Sequence, residues 1–160
     1  MADGESLIEL TDIPLSDAGA PCPVVYANER ALLVAYRRLL PAGDASQKES
    51  SGVIVFEGVN SLLFGGPNDE ALQGHRLYKL GLRFYAFHEV LNSAWIADLC
   101  ARNRGHPLHK DSMFPGLRHF VFTFHDSTLE VVARTYTASV EAEKPLDCVS
   151  RRLRDRQTWS

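Results

Sequence analysis

The stretch LRHFVFTFHDSTLEVVA, Leu117–Ala133, decides how the rest of the chain is read. Apolar and polar residues alternate through it with a period of two, broken at HDST by the residue types that favour turns. It therefore predicts two antiparallel strands. Taking HDST as a four-residue turn places Phe124 opposite Leu129, Phe122 opposite Val131 and Phe120 opposite Ala133, which makes one continuous apolar face. The same register sets Thr123 opposite Glu130, Val121 opposite Val132 and His119 opposite Arg134, with His125 beside Thr128 at the rim. A slip of one residue would expose three phenylalanine rings, so the assignment of faces is strongly specified.

Working outward, VVYANERALLVAYRRLL predicts two strands about a turn at Asn28 and Glu29, and VIVFEGV and SLLFG predict two more. PAGDASQKESSG, Pro41–Gly52, is small, polar and turn-rich, the composition of a surface loop without fixed structure. Asn68 is placed to cap a helical turn through Gln73, and RFYAFHEVL continues in extended style. NSAWIADLCARNRGHP predicts the main helix. Asn92 or Ser93 caps it, Leu91, Trp95 and Leu99 recur at four-residue spacing beside Ile96, and Gly105 and Pro107 stop it. Strands joined by short turns and covered by one main helix give an α+β fold, an antiparallel sheet of about five to seven strands. Residues 1–20 read as an extended N-terminal segment, residues 21–144 as a single α+β domain, and residues 145–160 as a basic C-terminal tail without an apolar period. A docked Trp159 would be that tail's one anchor.

The chain has 160 residues and is 45% hydrophobic, enough for one substantial core. Its net charge of −3 gives no basic field, so nucleic acid is not an expected partner. Acidic residues stand where a leader's basic region would lie, and no apolar run approaches a membrane span of about 20 residues. Cys22, Cys100 and Cys148 are odd in number and widely spaced, which predicts reduced thiols and a cytoplasmic protein outside the membrane.

The second face of the hairpin carries the candidate chemistry. Two imidazoles and a carboxylate can hold a divalent metal, making His119, His125 and Glu130 the candidate ligands, or they can move a proton. In a catalytic reading His125 or His119 is the base, Glu130 the orienting carboxylate and Arg134 an anion clamp. Thr123, His88, Glu89, Asp69 and Glu70 complete the candidate ligand-binding set, and His106 and His109 stand within reach of it in sequence. The plain alternative is a hydrogen-bonded ladder of His119, Glu130 and Arg134 on a covered sheet face. Other motifs carry less. GGPNDEALQGH lacks the phosphate-binding glycine patterns and the P-loop lysine, Ser127 lacks a nucleophile turn, and Cys100 adjoins the helix's apolar stripe as a packing residue.

The blocks GGPNDEALQGH, FHEVLNSAWI and LRHFVFTFHDSTLEVVA resemble an uncharacterised family of small bacterial α+β proteins with no assigned function. The resemblance implies a bacterial cytosolic protein and transfers no catalytic residue. Two function classes follow: a polar His/Glu/Arg site for a small ligand or divalent metal, or a non-catalytic interaction module of the immunity or antitoxin kind that binds a protein partner through a sheet face or edge. An enclosed polar cluster favours the first, and a flat exposed one the second.

Overall fold

A computed structural model describes residues 4–43 and 49–156. The strands are β1 (Ser6–Glu9), β2 (Val24–Ala27), β3 (Leu32–Arg37), β4 (Ser51–Glu57), β5 (Ser61–Gly65), β6 (Phe87–Leu91), β7 (Arg118–Thr123), β8 (Thr128–Ala133) and β9 (Thr135–Glu141). Two α-helices join them, α1 (Ala94–Asn103) and α2 (Pro145–Arg156). The protein is α+β and mostly sheet, but the strands divide between two antiparallel sheets, ordered β1-β6-β7-β8-β5 and β2-β3-β4-β9. Nine strands exceed the expected five to seven, because the long-range pairing of β4 with β9 leaves no local mark in the sequence.

The sheets face each other across an aromatic core. Phe120, Phe122 and Phe124 point inward beside Leu129, Val131 and Ala133, and meet Tyr36, Ile54 and Phe56 from the other sheet. Phe56 lies 5.8 Å from the ring of Phe120 and 5.7 Å from that of Phe122, edge-on or tilted as aromatic quadrupoles prefer. Both predicted faces of the hairpin are therefore correct, but its register is two residues away from expectation. Phe122 pairs with Leu129, Phe120 with Val131 and Val121 with Glu130. The cause is a tighter turn: the amide of Phe124 donates to the carbonyl of Ser127, leaving only His125 and Asp126 as the loop. A shift of two preserves which side each residue faces while changing its cross-strand partner.

The outer faces of both sheets are also covered. On the four-stranded sheet lies α2, which buries Cys148 and Val149 against Ala35 and Val53. Residues 145–156, expected as a solvated tail, are thus a docked helix. Pro145 opens it where a missing N–H is harmless, and Val149 and Leu153 fall on one face at four-residue spacing. Arg151 and Arg152 bind Glu141 at the end of β9, and Trp159 lies outside the described residues. On the five-stranded sheet lies a roof built from residues 66–86, with 3₁₀ turns at Asp69–Gly74 and Tyr78–Leu80. It seats Leu72, Leu77 and Leu82 on Val90 and Val121. The first turn starts as expected, with Asn68 Oδ1 accepting from the amide of Ala71.

Two further expectations change. The N-terminal segment is extended, but it is part of the fold: β1 pairs with β6, and Leu10 and Ile13 enter the core. Helix α1, expected to cover the sheet, has no fully buried residue; its half-buried Trp95 meets the edge of the His119 ring at 5.1 Å. Among the described residues no helix is long and apolar enough to cross a membrane.

If α2 is an integral layer, Val149→Asp should destabilise the protein by about 2–4 kcal/mol, since it buries a charge in an apolar contact. A denaturation midpoint equal to that of the wild type would show that the helix is not seated. Phe122→Ala should cost about 3–5 kcal/mol by the same titration, the range for a buried aromatic.

Candidate functional site

His119 points outward near the start of β7 and is fully buried, packed against Trp95 of α1. Its Nε2 lies 2.7 Å from Glu130 Oε2 on β8, and its Nδ1 lies 2.8 Å from Ser93 Oγ. Ser93 is the N-cap of α1, and its Oγ also accepts from the amide of Ile96. One hydrogen-bond arrangement pairs each group: Ser93 Oγ–H donates to Nδ1 of His119, and the Nε2–H of the same ring donates to Glu130. The other carboxylate oxygen of Glu130 faces His75 Nε2 at 3.1 Å. His75 Nδ1 accepts from the amide of Leu77, which fixes the proton on Nε2 for donation to Glu130. Arg76 completes the cluster, reaching Glu130 Oε2 at 3.2 Å and both oxygens of Glu5, while Glu5 Oε1 accepts from the first amide of α1 at Ala94.

Glu130 is 8% exposed, so its ionisation has to be explained. Burial pushes its pKa up, but hydrogen bonds from His119 and His75 and the electrostatic attraction of His119 and then of Arg76 outweigh burial and hold it well below the usual 4.5. The carboxylate is therefore a fixed negative charge at neutral pH. It forms the floor of a groove of about 660 Å³ whose sides include Leu63, Phe64, Pro67, His75 and Arg76. Gly66 and Gly74 line the same groove, and a methyl group on either would meet no atom within 4 Å.

His119 and Glu130 are thus brought together as expected, and Arg134 and His125 are not. Arg134 follows the last residue of β8, packs its stem over Gly58 and donates to the carbonyl of Met113. The guanidinium beside Glu130 belongs to Arg76. His125, on the hairpin loop, turns to the opposite end of the roof, where Nδ1 lies 2.9 Å from Asp69 Oδ2. Tyr85, held in the left-handed region at φ 52°, donates to the same carboxylate oxygen. The hydrogen bond from Tyr85 lowers the Asp69 pKa against a smaller upward push from burial, and the same bond raises that of the Tyr85 phenol. This dyad orients an imidazole as a general base is oriented, but none of its residues lines the groove over Glu130. The metal set of His119, His125 and Glu130 is accordingly divided between two places.

The remaining candidates take structural positions. Thr123 pairs with Thr128, not Glu130, and its Oγ1 accepts from the amide of Ala86 and lies 2.7 Å from the carbonyl of Arg83, pinning the roof's end to β7. Glu89 is held by a two-pronged ion pair with Arg118, itself stacked on Phe120, on the inward side of β6. His88 is 3% exposed, with Nδ1 lacking a hydrogen-bond partner, and burial lowers its pKa. Glu70 is exposed on the first 3₁₀ turn. Sequence reading missed His75, Arg76 and Glu5, because the roof has no helical or strand period that would announce the side they face. The adjacency of His75 to a glycine-rich block was the only available signal.

No family model matches the chain, and no significant match exists among curated proteins or solved structures.

Folding lowers the Glu130 pKa, so the unfolded chain takes up this proton first as the solution is acidified. The resulting stabilisation is complete above about pH 4.5 and drains away as pH falls toward the lower folded-state value. The thermal midpoint of the wild type should consequently fall more steeply between about pH 5 and pH 2 than that of Glu130→Gln. Parallel curves for the two proteins would show that Glu130 is not held ionised. At neutral pH a double-mutant cycle of His119→Ala with Glu130→Gln should show coupling of at least about 0.5 kcal/mol.

Proposed function

We propose that this chain is a small-ligand-binding protein whose site is the groove over Glu130. One observation carries the reading: a nearly buried carboxylate, kept charged by two imidazoles and a guanidinium, floors a concavity with apolar sides. Ligand sites combine apolar walls with a few oriented polar groups in this way. Oε1 of Glu130 takes one hydrogen bond, from His75, and keeps a lone pair for a donor on the ligand. Arg76 beside it disfavours a cationic head. The chemistry fits a flat apolar body with a neutral N–H head. The three free cysteines support a reducing compartment such as the cytoplasm, and the likeness of its sequence blocks to small bacterial α+β proteins supports a bacterial source.

A second reading has its own observation. Strand β5 is the outer strand of its sheet and exposes Leu63 and Phe64, 57% and 46% accessible, beside the same groove. An extended segment of a protein partner could add to that edge, as the interaction-module class requires.

At Gly74, which lines the groove, an added Cβ would meet no atom within 4 Å, so Gly74→Phe should set a ring in the groove with an unfolding midpoint equal to the wild type's. Benzamide and indole, used as probes in saturation-transfer NMR, should give signals with the wild type and lose them with this variant. Signals that persist in Gly74→Phe, or that never arise with the wild type, would refute the ligand site. Retained biological activity in Gly74→Phe together with its loss in Leu63→Lys would place function on the β5 edge.

A further inference from the structure

Away from the groove, the C-terminal half of α1 and the loop after it bring three metal-binding side chains to one point. Cys100 Sγ, a ring nitrogen of His109 and a carboxylate oxygen of Asp111 all lie within 4.8 Å of one another. We propose that Cys100, His109 and Asp111 form a zinc site with three protein ligands and one open position.

The spacing supports this. Around a tetrahedral zinc with bonds of about 2.0–2.3 Å, ligand atoms stand roughly 3.4–3.6 Å apart. Cys100 Sγ and Asp111 Oδ1 are 3.5 Å apart, already at that separation. His109 Nε2 and Asp111 Oδ1, 2.7 Å apart, share a proton that the metal would replace, and the pair then opens. Binding releases the thiol proton of Cys100, while the ring proton of His109 moves from Nε2 to Nδ1 as the ring takes its other tautomer, with no net release. The second shell allows that change. The side-chain amide of Asn103 meets His109 Nδ1 at 2.9 Å, and this group can donate through nitrogen or, turned over, accept through oxygen. One sulfur, one nitrogen and one oxygen suit zinc better than magnesium or calcium, which take oxygen alone.

The surroundings leave the site accessible. Arg104 Nε stands 3.5 Å from Asp111 Oδ1 but is 62% exposed, so it can swing into solvent as the metal arrives. Cys100 and Asp111 both line a groove of about 610 Å³ that also reaches Ser93 and Arg118, and water or a ligand there can take the fourth position. A second group with metal-binding atoms, Glu141, Glu143 and Cys148, differs in the respect that matters. Arg151 and Arg152 already neutralise its carboxylates, and Cys148 is buried on the inner face of α2.

Cobalt(II) titration of the full chain tests the proposal, because a thiolate ligand in a tetrahedral site gives both a charge-transfer band and intense visible bands. The wild type should show both, saturating at one equivalent and reversed by added zinc. Cys100→Ser should abolish the charge-transfer band, Asp111→Asn on the exposed loop should weaken affinity at least tenfold, and Cys22→Ser and Cys148→Ser should leave the spectrum unchanged. Unfolding midpoints of the metal-free variants equal to that of the metal-free wild type would confirm that the losses are of ligands and not of fold. Absence of the bands in the wild type, or a band that survives Cys100→Ser and disappears in Cys148→Ser, would overturn the site.

Discussion

Three phenylalanines at alternate positions, Phe120 and Phe122 on β7 and Phe124 just after it, impose the constraint from which the rest follows. Rings that must pack between two sheets fix the orientation of the strand, and the residues between them then face away from the core. His119, Val121 and Thr123 are committed to the outer face by the burial of Phe120, Phe122 and Phe124. That face is half apolar, and leaving it in water would forgo the burial of Val121, Val90 and Val132. The roof answers this need with three leucines. Once it is in place, the polar residues beneath it must find partners in the protein, because an unpaired buried donor or carboxylate costs several times what a hydrogen bond gains.

The polar residues under the roof are satisfied by groups the roof or its neighbours bring, except His88, whose Nδ1 has no partner. Thr123 bonds to backbone at the roof's end, and Glu130 meets His75 and Arg76 near its middle. The buried charge is a position of choice and not of necessity: well-packed apolar residues often stabilise a core as well as an ion pair does. The carboxylate that lines the groove is the feature on which the proposed ligand site rests.

How much of this was legible depended on the distance over which the information acts. The inward and outward faces of the hairpin were readable because a period of two survives any even shift of register. The pairing of Glu130 was not, since it hangs on whether the loop holds two residues or four, and HDST permits both. Cap residues acted locally and were found: Asn68 and Ser93 stand where expected. Helix α2 was overlooked because four arginines dominate its composition, although Val149 and Leu153 carry a four-residue spacing behind Pro145. The second sheet and the roof's side chains depend on contacts between segments remote in sequence. Arg76 replaces Arg134 beside Glu130 for a reason no strand pattern contains: the chain leaves β8 after Ala133, one residue before Arg134 could face its neighbour.

The cluster centred on Glu130 also has a consequence in time. Its members, Glu5, Arg76, Ser93, His119 and Glu130, come from five separate segments, and the bonds among them span as many as 71 residues. Closing such loops carries an entropic cost that short-range hairpin contacts do not bear, so the bonds from Glu5, Arg76 and Ser93 are expected to close after the β7–β8 hairpin that already holds His119 and Glu130. Interactions absent from the transition state act on the rate of unfolding and scarcely on the rate of folding. The same side chains that shape the groove therefore act as a latch on the native state, setting how long a folded molecule lasts more than how quickly it forms.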